Sequence, residues 1–219
     1  MPSCAKRAEP AQNGAGRRGA ERLRSVFTAL LDTCVLWPSL QRDFLLSLAA
    51  EGMYRPIWSE AILGELRWHE ARKLVKRGAD SVVAADRAER LIAEMRSAFD
   101  DAVVTGWEPL EGSYGLPDPD DEHVLAAAVV GGAGAIVTLN SKHFPEHKLP
   151  DGMQRLSPSE FAHNTVSLNP VVALRAVTTI AERSGRHGPS ETAETILTVL
   201  VDRYDMAEAA QILREALLE

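Results

Sequence analysis

The sequence is short of cysteine, of long apolar runs and of the common signatures of nucleophilic or nucleotide chemistry. Its 219 residues include two cysteines, Cys4 and Cys34. They make neither a CxxC nor a disulfide framework, a usage that fits a reducing, cytoplasmic setting. No run of about 18 apolar residues exists, so no membrane span is expected, and the N-terminus lacks the apolar h-region of a secretory signal. There is no GxSxG elbow. The glycines of GGAG at 131–134 have no Gly-Lys-Ser/Thr after them and no strand before them, so they stop a helix rather than cradle a phosphate. His69-Glu70 begins an HExxH pattern, but Lys73 stands where the second histidine is required. His143 and His147 are four apart, yet Pro145 between them disfavours the helix that would align them on zinc.

What remains is an ordinary globular composition, 45% hydrophobic with a formal charge of −7, enough chain for one α/β domain with an appendage or for two small domains. The acidic balance argues against nucleic-acid binding by the surface as a whole. It leaves room for a nucleic-acid enzyme whose clustered carboxylates hold cations. Residues 1–24, rich in Ala, Gly, Arg and Pro, have no apolar periodicity and read as a disordered tail. Arg17, Arg18, Arg22 and Arg24 would make it an RNA-contacting arm, or the tail is dispensable, the product of an upstream start codon.

Strand and helix patterns alternate from there. The run 26–31 (VFTALL) reads as a buried parallel strand ending at Asp32, and 34–50 turns helical after Pro38. Asp32 is then either the N-cap of that helix or a ligand on the sheet edge. YRPIW (54–58) is a second strand, which Pro56 places at an edge or an irregularity. Ser59 opens a helix whose Glu65 lies by the apolar stripe, either buried with a partner or a metal or exposed and paired with Arg67 or His69. A helix over 81–99, strands at 102–105, 135–139 and 153–157, and a short helix from Ser157 complete a parallel three-layer arrangement. From Leu168 the pattern is helical only, with Asp205 and Glu208 spaced as a capping box for the last of three helices. The expected units are the tail 1–24, an α/β domain 25–163 and a helical extension 164–219, packed on that domain or awaiting a partner.

The stretch 115–145 gathers Asp118, Asp120, Asp121 and Glu122 ahead of an apolar run, then places Asn140 at the end of AIVTL. Asp118 suits an N-cap, Pro119 position N1 and Asp121 position N3. One or two carboxylates satisfy a helix N-terminus; further acids repel one another unless a cation neutralises them. That surplus favours a hard divalent ion, Mg²⁺ or Mn²⁺. Asp118 and Asp121 share a helix face, while Asp120 points to solvent.

The ordered set LLDTCVL, ILGELRW, PDPDDEHVLAAA and IVTLNSKHF resembles the PIN-domain nucleases, in particular VapC-type ribonuclease toxins of bacterial toxin–antitoxin pairs. The resemblance covers about residues 26–160. It implies a metal-dependent endoribonuclease with Asp32, Glu65, Asp121 and Asn140 as catalytic residues and Asp32, Glu65, Asp118 and Asp121 as ligands of Mg²⁺ or Mn²⁺. Thr33 and Thr138 would donate hydrogen bonds to the carboxylates. Many relatives carry an Asp where His143 stands. The implied products are 5′-phosphate and 3′-hydroxyl ends, and the implied partners are RNA and an antitoxin, with a homodimer as an open option. Arg67, Arg72, Lys73, Lys76 and Arg77 are candidate RNA contacts, or simply cations suited to a helix C-terminus. The alternative is a catalytically silent PIN-like module that binds protein or RNA.

Overall fold

The computed structural model describes residues 26–185 and 189–218. The expected arm at 1–24 and part of the polar connector at 183–190 lie outside them. A five-stranded, wholly parallel sheet forms the centre: β1 (Thr28–Leu31), β2 (Arg55–Ser59), β3 (Val103–Val104), β4 (Ala135–Val137) and β5 (Gln154–Leu156), in the order β3-β2-β1-β4-β5. Ala29, Leu30, Leu31 and all of β4 are fully buried. Such burial on both faces is what parallel strands require, and it needs helices on either side.

Around the sheet run α1 (Thr33–Leu36), α2 (Ser39–Ala50), α3 (Glu60–Lys76), α4 (Ser81–Ala98) and α5 (Glu122–Val130). Pro38 separates α1 from α2, and Asp80 caps α4 by accepting N–H bonds from Val82 and Val83. The α5 helix packs on β1, β2 and β4, while α2 and α3 pack on β2. These layers make the three-layer α/β/α domain that the alternating pattern predicts.

Two details refine the sequence reading. β2 lies inside the sheet, so of the two positions expected for Pro56 the irregular one holds and the edge does not. Pro56 is tolerated because alternate N–H groups point to opposite neighbours: Arg55 N–H donates to Phe27 and Trp58 N–H donates to Ala102. Pro56 therefore faces the β3 side, where pairing starts only at Trp58. Second, the expected helix start is a 3₁₀ turn, Pro119–Asp121, with Pro119 first and Asp121 third as expected, and α5 follows from Glu122 with Asp121 at its N-cap position. Asp118 caps that turn through Asp120 N–H.

The α5–β4 junction needs its glycines. Gly132 has φ +66°, and a Cβ on Gly131 would lie 2.3 Å from Ile57 Cδ1 and 2.8 Å from Val104 Cγ2. They let the helix end against β2 and return the chain into β4.

The remaining helices are α6 (Pro158–Leu168), α7 (Pro170–Arg183), α8 (Ala193–Tyr204) and α9 (Ala207–Leu217). The expected unit boundary at 163/164 falls inside α6. Packing of α7 on α2 and of α6 on α9 joins these helices to one hydrophobic core, where Leu197, Leu200 and Leu213 are buried with the strand residues. Tyr54 meets Phe161 edge-on at 4.7 Å, and Arg183 donates to Ser47 Oγ at 3.1 Å. The extension is thus packed on the domain. Its expected Asp205–Glu208 capping box is absent, because Asp205 takes a left-handed conformation (φ 56°) as the C-cap of α8. A capping box forms instead at Ser157 and Glu160, opening α6. Among the described residues, no helix is long and apolar enough to cross a membrane.

Candidate metal centre

The chain builds outward from β1 to β2 and β3, then crosses back to place β4 and β5 on the other side. The carboxyl ends of β1 and β4 therefore flank the switch point of the sheet, where open α/β folds hold their ligands. Asp32 sits at the first of these ends. Its N–H donates to Val137 O at 3.1 Å, which keeps it in register with β4. Asp32 occupies the N-cap position of α1, yet its side chain makes no capping hydrogen bond. Thr138 Oγ1 donates to its Oδ2 at 2.6 Å and the Cys34 thiol donates to the same oxygen at 3.1 Å. Of the two sequence readings of Asp32, the geometry favours the edge carboxylate.

Cys34 also accepts the Leu139 N–H at 3.2 Å. Burial, with the adjacent Asp32 charge, pushes its thiol up to about 12. It therefore keeps its proton and stays a donor to Asp32.

Glu65 is on the second turn of α3 and is half exposed, with neither Arg67 nor His69 as its ion-pair partner. Thr33 Oγ1 donates to Oε2 at 2.6 Å, and His123 Nε2 lies 3.1 Å from Oε1. Burial alone would raise the Glu65 carboxyl. The His123 and Thr33 hydrogen bonds, with the His123 and His69 charges, outweigh it and hold the group below its ordinary value. His123 is shifted upward: burial opposes its charge, but Glu65, Asp32 and Glu111 prevail. Both hydrogen bonds expected of Thr33 and Thr138 are thus present.

Asp118 and Asp121 come from the 3₁₀ turn, and His143 reaches both from the loop after β4. His143 Nδ1 lies 2.5 Å from Asp121 Oδ2 and 3.4 Å from Asp118 Oδ2. One potential ligand atom from each of the three lies within 4.8 Å of the other two. Asn140 supplies the geometry: its N–H donates to Thr138 Oγ1, and its carbonyl accepts the His143 N–H at 2.9 Å. Glu122 turns inward, accepting N–H bonds from Tyr114 and Leu116 and so tying down the loop before the turn. Asp120 is exposed, as expected. The Asp121 carboxyl is raised, first by burial and then by the Asp32 and Asp118 charges, against the His143 hydrogen bond.

His143 and His123 are the residues the sequence reading did not assign. The sequence signals for His143 were its place where related chains carry Asp and its spacing from His147, which Pro145 discounts. His123 had no signal beyond following Glu122. Of the candidate RNA contacts, Arg67 pairs with Glu89 at 3.1 Å, Arg72 lies 4.3 Å from the Trp68 ring and Lys73 pairs with Glu70. Lys76 and Arg77 extend the same helix end.

The donor set suits a divalent ion. Carboxylate oxygens outnumber the imidazoles beside them, and His143 adds one nitrogen, a mixture compatible with Mn²⁺ as well as Mg²⁺.

A parallel α/β domain with clustered carboxylates at its switch point defines the class. Residues 28–142 match the PIN domain family, more than half of the chain, and the chain belongs to it. PIN domains are generally nucleases that use divalent metals, which supports a hydrolase acting on nucleic acid. No curated protein and no solved structure matches the chain.

Proposed function

We propose that the chain is a metal-dependent endoribonuclease, the toxin of a type II toxin–antitoxin pair, hydrolysing RNA to 5′-phosphate and 3′-hydroxyl ends. The observation that carries the nuclease reading is the gathering of Asp118, Asp121 and His143 beside Asp32 at the sheet's switch point. Asp32, Glu65, Asp118 and Asp121 would hold one or two Mg²⁺ or Mn²⁺ ions, with His143 as an added nitrogen ligand. When bound, such an ion lowers the pKa of a bound water and stabilises charge on the leaving 3′ oxygen. Thr138 and Cys34 hold Asp32 in one orientation, and Thr33 and His123 do the same for Glu65. Asn140, half-buried beside His143, would orient the phosphate with its carboxamide. The order of motifs along the chain supports the toxin assignment, and with it a cytoplasmic location, an antitoxin partner and the option of a homodimer. Residues 25–163 would form the nuclease unit and 164–219 its buttressing extension.

The test is incubation of a pool of structured RNAs with the purified protein in Mn²⁺, Mg²⁺ or EDTA, beside the Asp121→Asn variant. Cuts that need metal and vanish in the variant support the reading. RNA left intact by a folded, metal-binding protein would instead favour a silent binding module.

A further inference from the structure

Next to the acidic edge lies a cationic pocket whose walls include an indole. It begins where α1 ends: Trp37 follows Asp32 by five residues, about 8 Å along a helix axis. On α3, His69 is one turn beyond Glu65 on the same face, and its charge acts on that carboxyl. The pocket, about 420 Å³, is lined by Trp37, His69, Arg72, Lys73, Lys76 and Arg77. No carboxylate is among its lining residues.

Its flat groups are exposed and near one another. The Trp37 and His69 rings are 6.0 Å apart, and Trp37 keeps 41% of its surface open. Trp68, 53% exposed, meets His69 edge-on at 4.8 Å. Lys73 is partnered by Glu70 and donates to Ser39 Oγ, whereas Arg72, Lys76 and Arg77 have no ion pair among the described residues. The helix dipole accounts for Lys73 and Lys76 in the last turn of α3. Arg72 lies over the exposed Trp68 ring and Lys73 Nζ is 6.0 Å from the Trp37 ring, but the dipole does not account for the exposure of Trp37. Unpaired cations beside aromatic faces, in a chain of net charge −7, match the needs of a single nucleic-acid strand: phosphates to neutralise and bases to stack. No aliphatic hydrophobic residue lines this pocket.

We propose that this pocket is a nucleotide subsite for the strand being cut, with Trp37 stacking a base and Arg72, Lys76 and Arg77 contacting phosphates. The inference rests on the nuclease reading and adds to it the place where the strand is held beyond the acidic edge.

The test is binding of a short unstructured RNA, end-labelled and in EDTA, to the full chain, followed by anisotropy and by quenching of tryptophan emission. The expected result is quenching on binding, with affinity about tenfold or more weaker in Trp37→Ala and restored in Trp37→Phe. A Lys76→Ala/Arg77→Ala variant should flatten the salt dependence, by about 0.7 in log–log slope for each phosphate no longer neutralised. A duplex of the same sequence should bind more weakly. Variants that melt like the wild type yet keep its affinity and salt slope would overturn the subsite. So would RNA binding undetectable in the wild type, or a protein partner lost on Trp37→Ala with RNA binding unchanged. Binding that depends on Trp37 with no cleavage in Mn²⁺ would sustain the subsite and overturn the nuclease reading. Metal-dependent cleavage with an unchanged KM in the pocket variants would do the reverse.

Discussion

The crowded carboxylates at the sheet edge, Asp32, Asp118 and Asp121, and two acids of the C-terminal helices live under different electrostatic conditions. In the helices Glu160 and Glu194 each have a donor of their own. Glu160 is held below its ordinary value by the Ser157 N–H and hydroxyl, and Glu194 by the Arg214 guanidinium. At the edge, Asp118 and Asp121 share one imidazole, while Asp32 relies on a hydroxyl and a thiol. Asp121 is shifted upward, first by burial and then by its acidic neighbours, the reverse of Glu160 and of Glu65, which Thr33 and His123 hold down at the same edge. Asp118 and Asp121 thus keep negative charge close together, which a bound cation would relieve.

Substitutions should separate the two regions. The largest effect is expected of Asp121→Asn, which should abolish metal-dependent RNA cleavage. In EDTA its melting temperature should stay level or rise at neutral pH. A group with a raised folded-state pKa favours the folded state only below its unfolded pKa, so ionised Asp121 is a cost at pH 7. Thr33→Val removes one hydrogen bond from Glu65 and should lower kcat/KM about 10–100-fold, with little change in secondary structure by circular dichroism.

In the helices the order reverses, with stability moving and activity not. Ser157→Ala should cost about 1 kcal/mol in a denaturant titration and leave cleavage unaltered. Glu160→Gln should cost less, and in a pH-dependent way. A depressed carboxyl contributes stability above its unfolded pKa and loses it as pH falls through the folded value, so the wild-type advantage should vanish in acid. Smallest of all is Glu194→Gln, an exposed pair with Arg214 whose loss should not move the melting temperature measurably.

Sequence patterns gave away the strands because their apolar runs are short and bounded, and Asp32 because it ends the first of them. Asp118 and Asp121 were legible as an excess over what capping uses. His143 was not, since it meets Asp121 across 22 residues through a turn set by the Asn140 carbonyl. His123 reaches Glu65 only because α5 and α3 converge over the same edge. Pro56 marked an irregularity in β2 but could not tell it from an edge: a missing N–H implies an unpaired side locally, and the strand is still interior. The Asp205–Glu208 spacing misled. The preceding helix claimed Asp205 as its own left-handed C-cap before α9 could use it.

The most direct test of the central claim, that the edge acids together hold a divalent cation, is Mn²⁺ titration of the metal-free full chain by calorimetry. The melting temperature would be followed at the same concentrations. Wild-type protein should bind Mn²⁺ and melt higher as the ion saturates, with both effects lost in Asp121→Asn and weakened in His143→Ala. Equal heats and equal thermal shifts in wild type and Asp121→Asn would contradict the account.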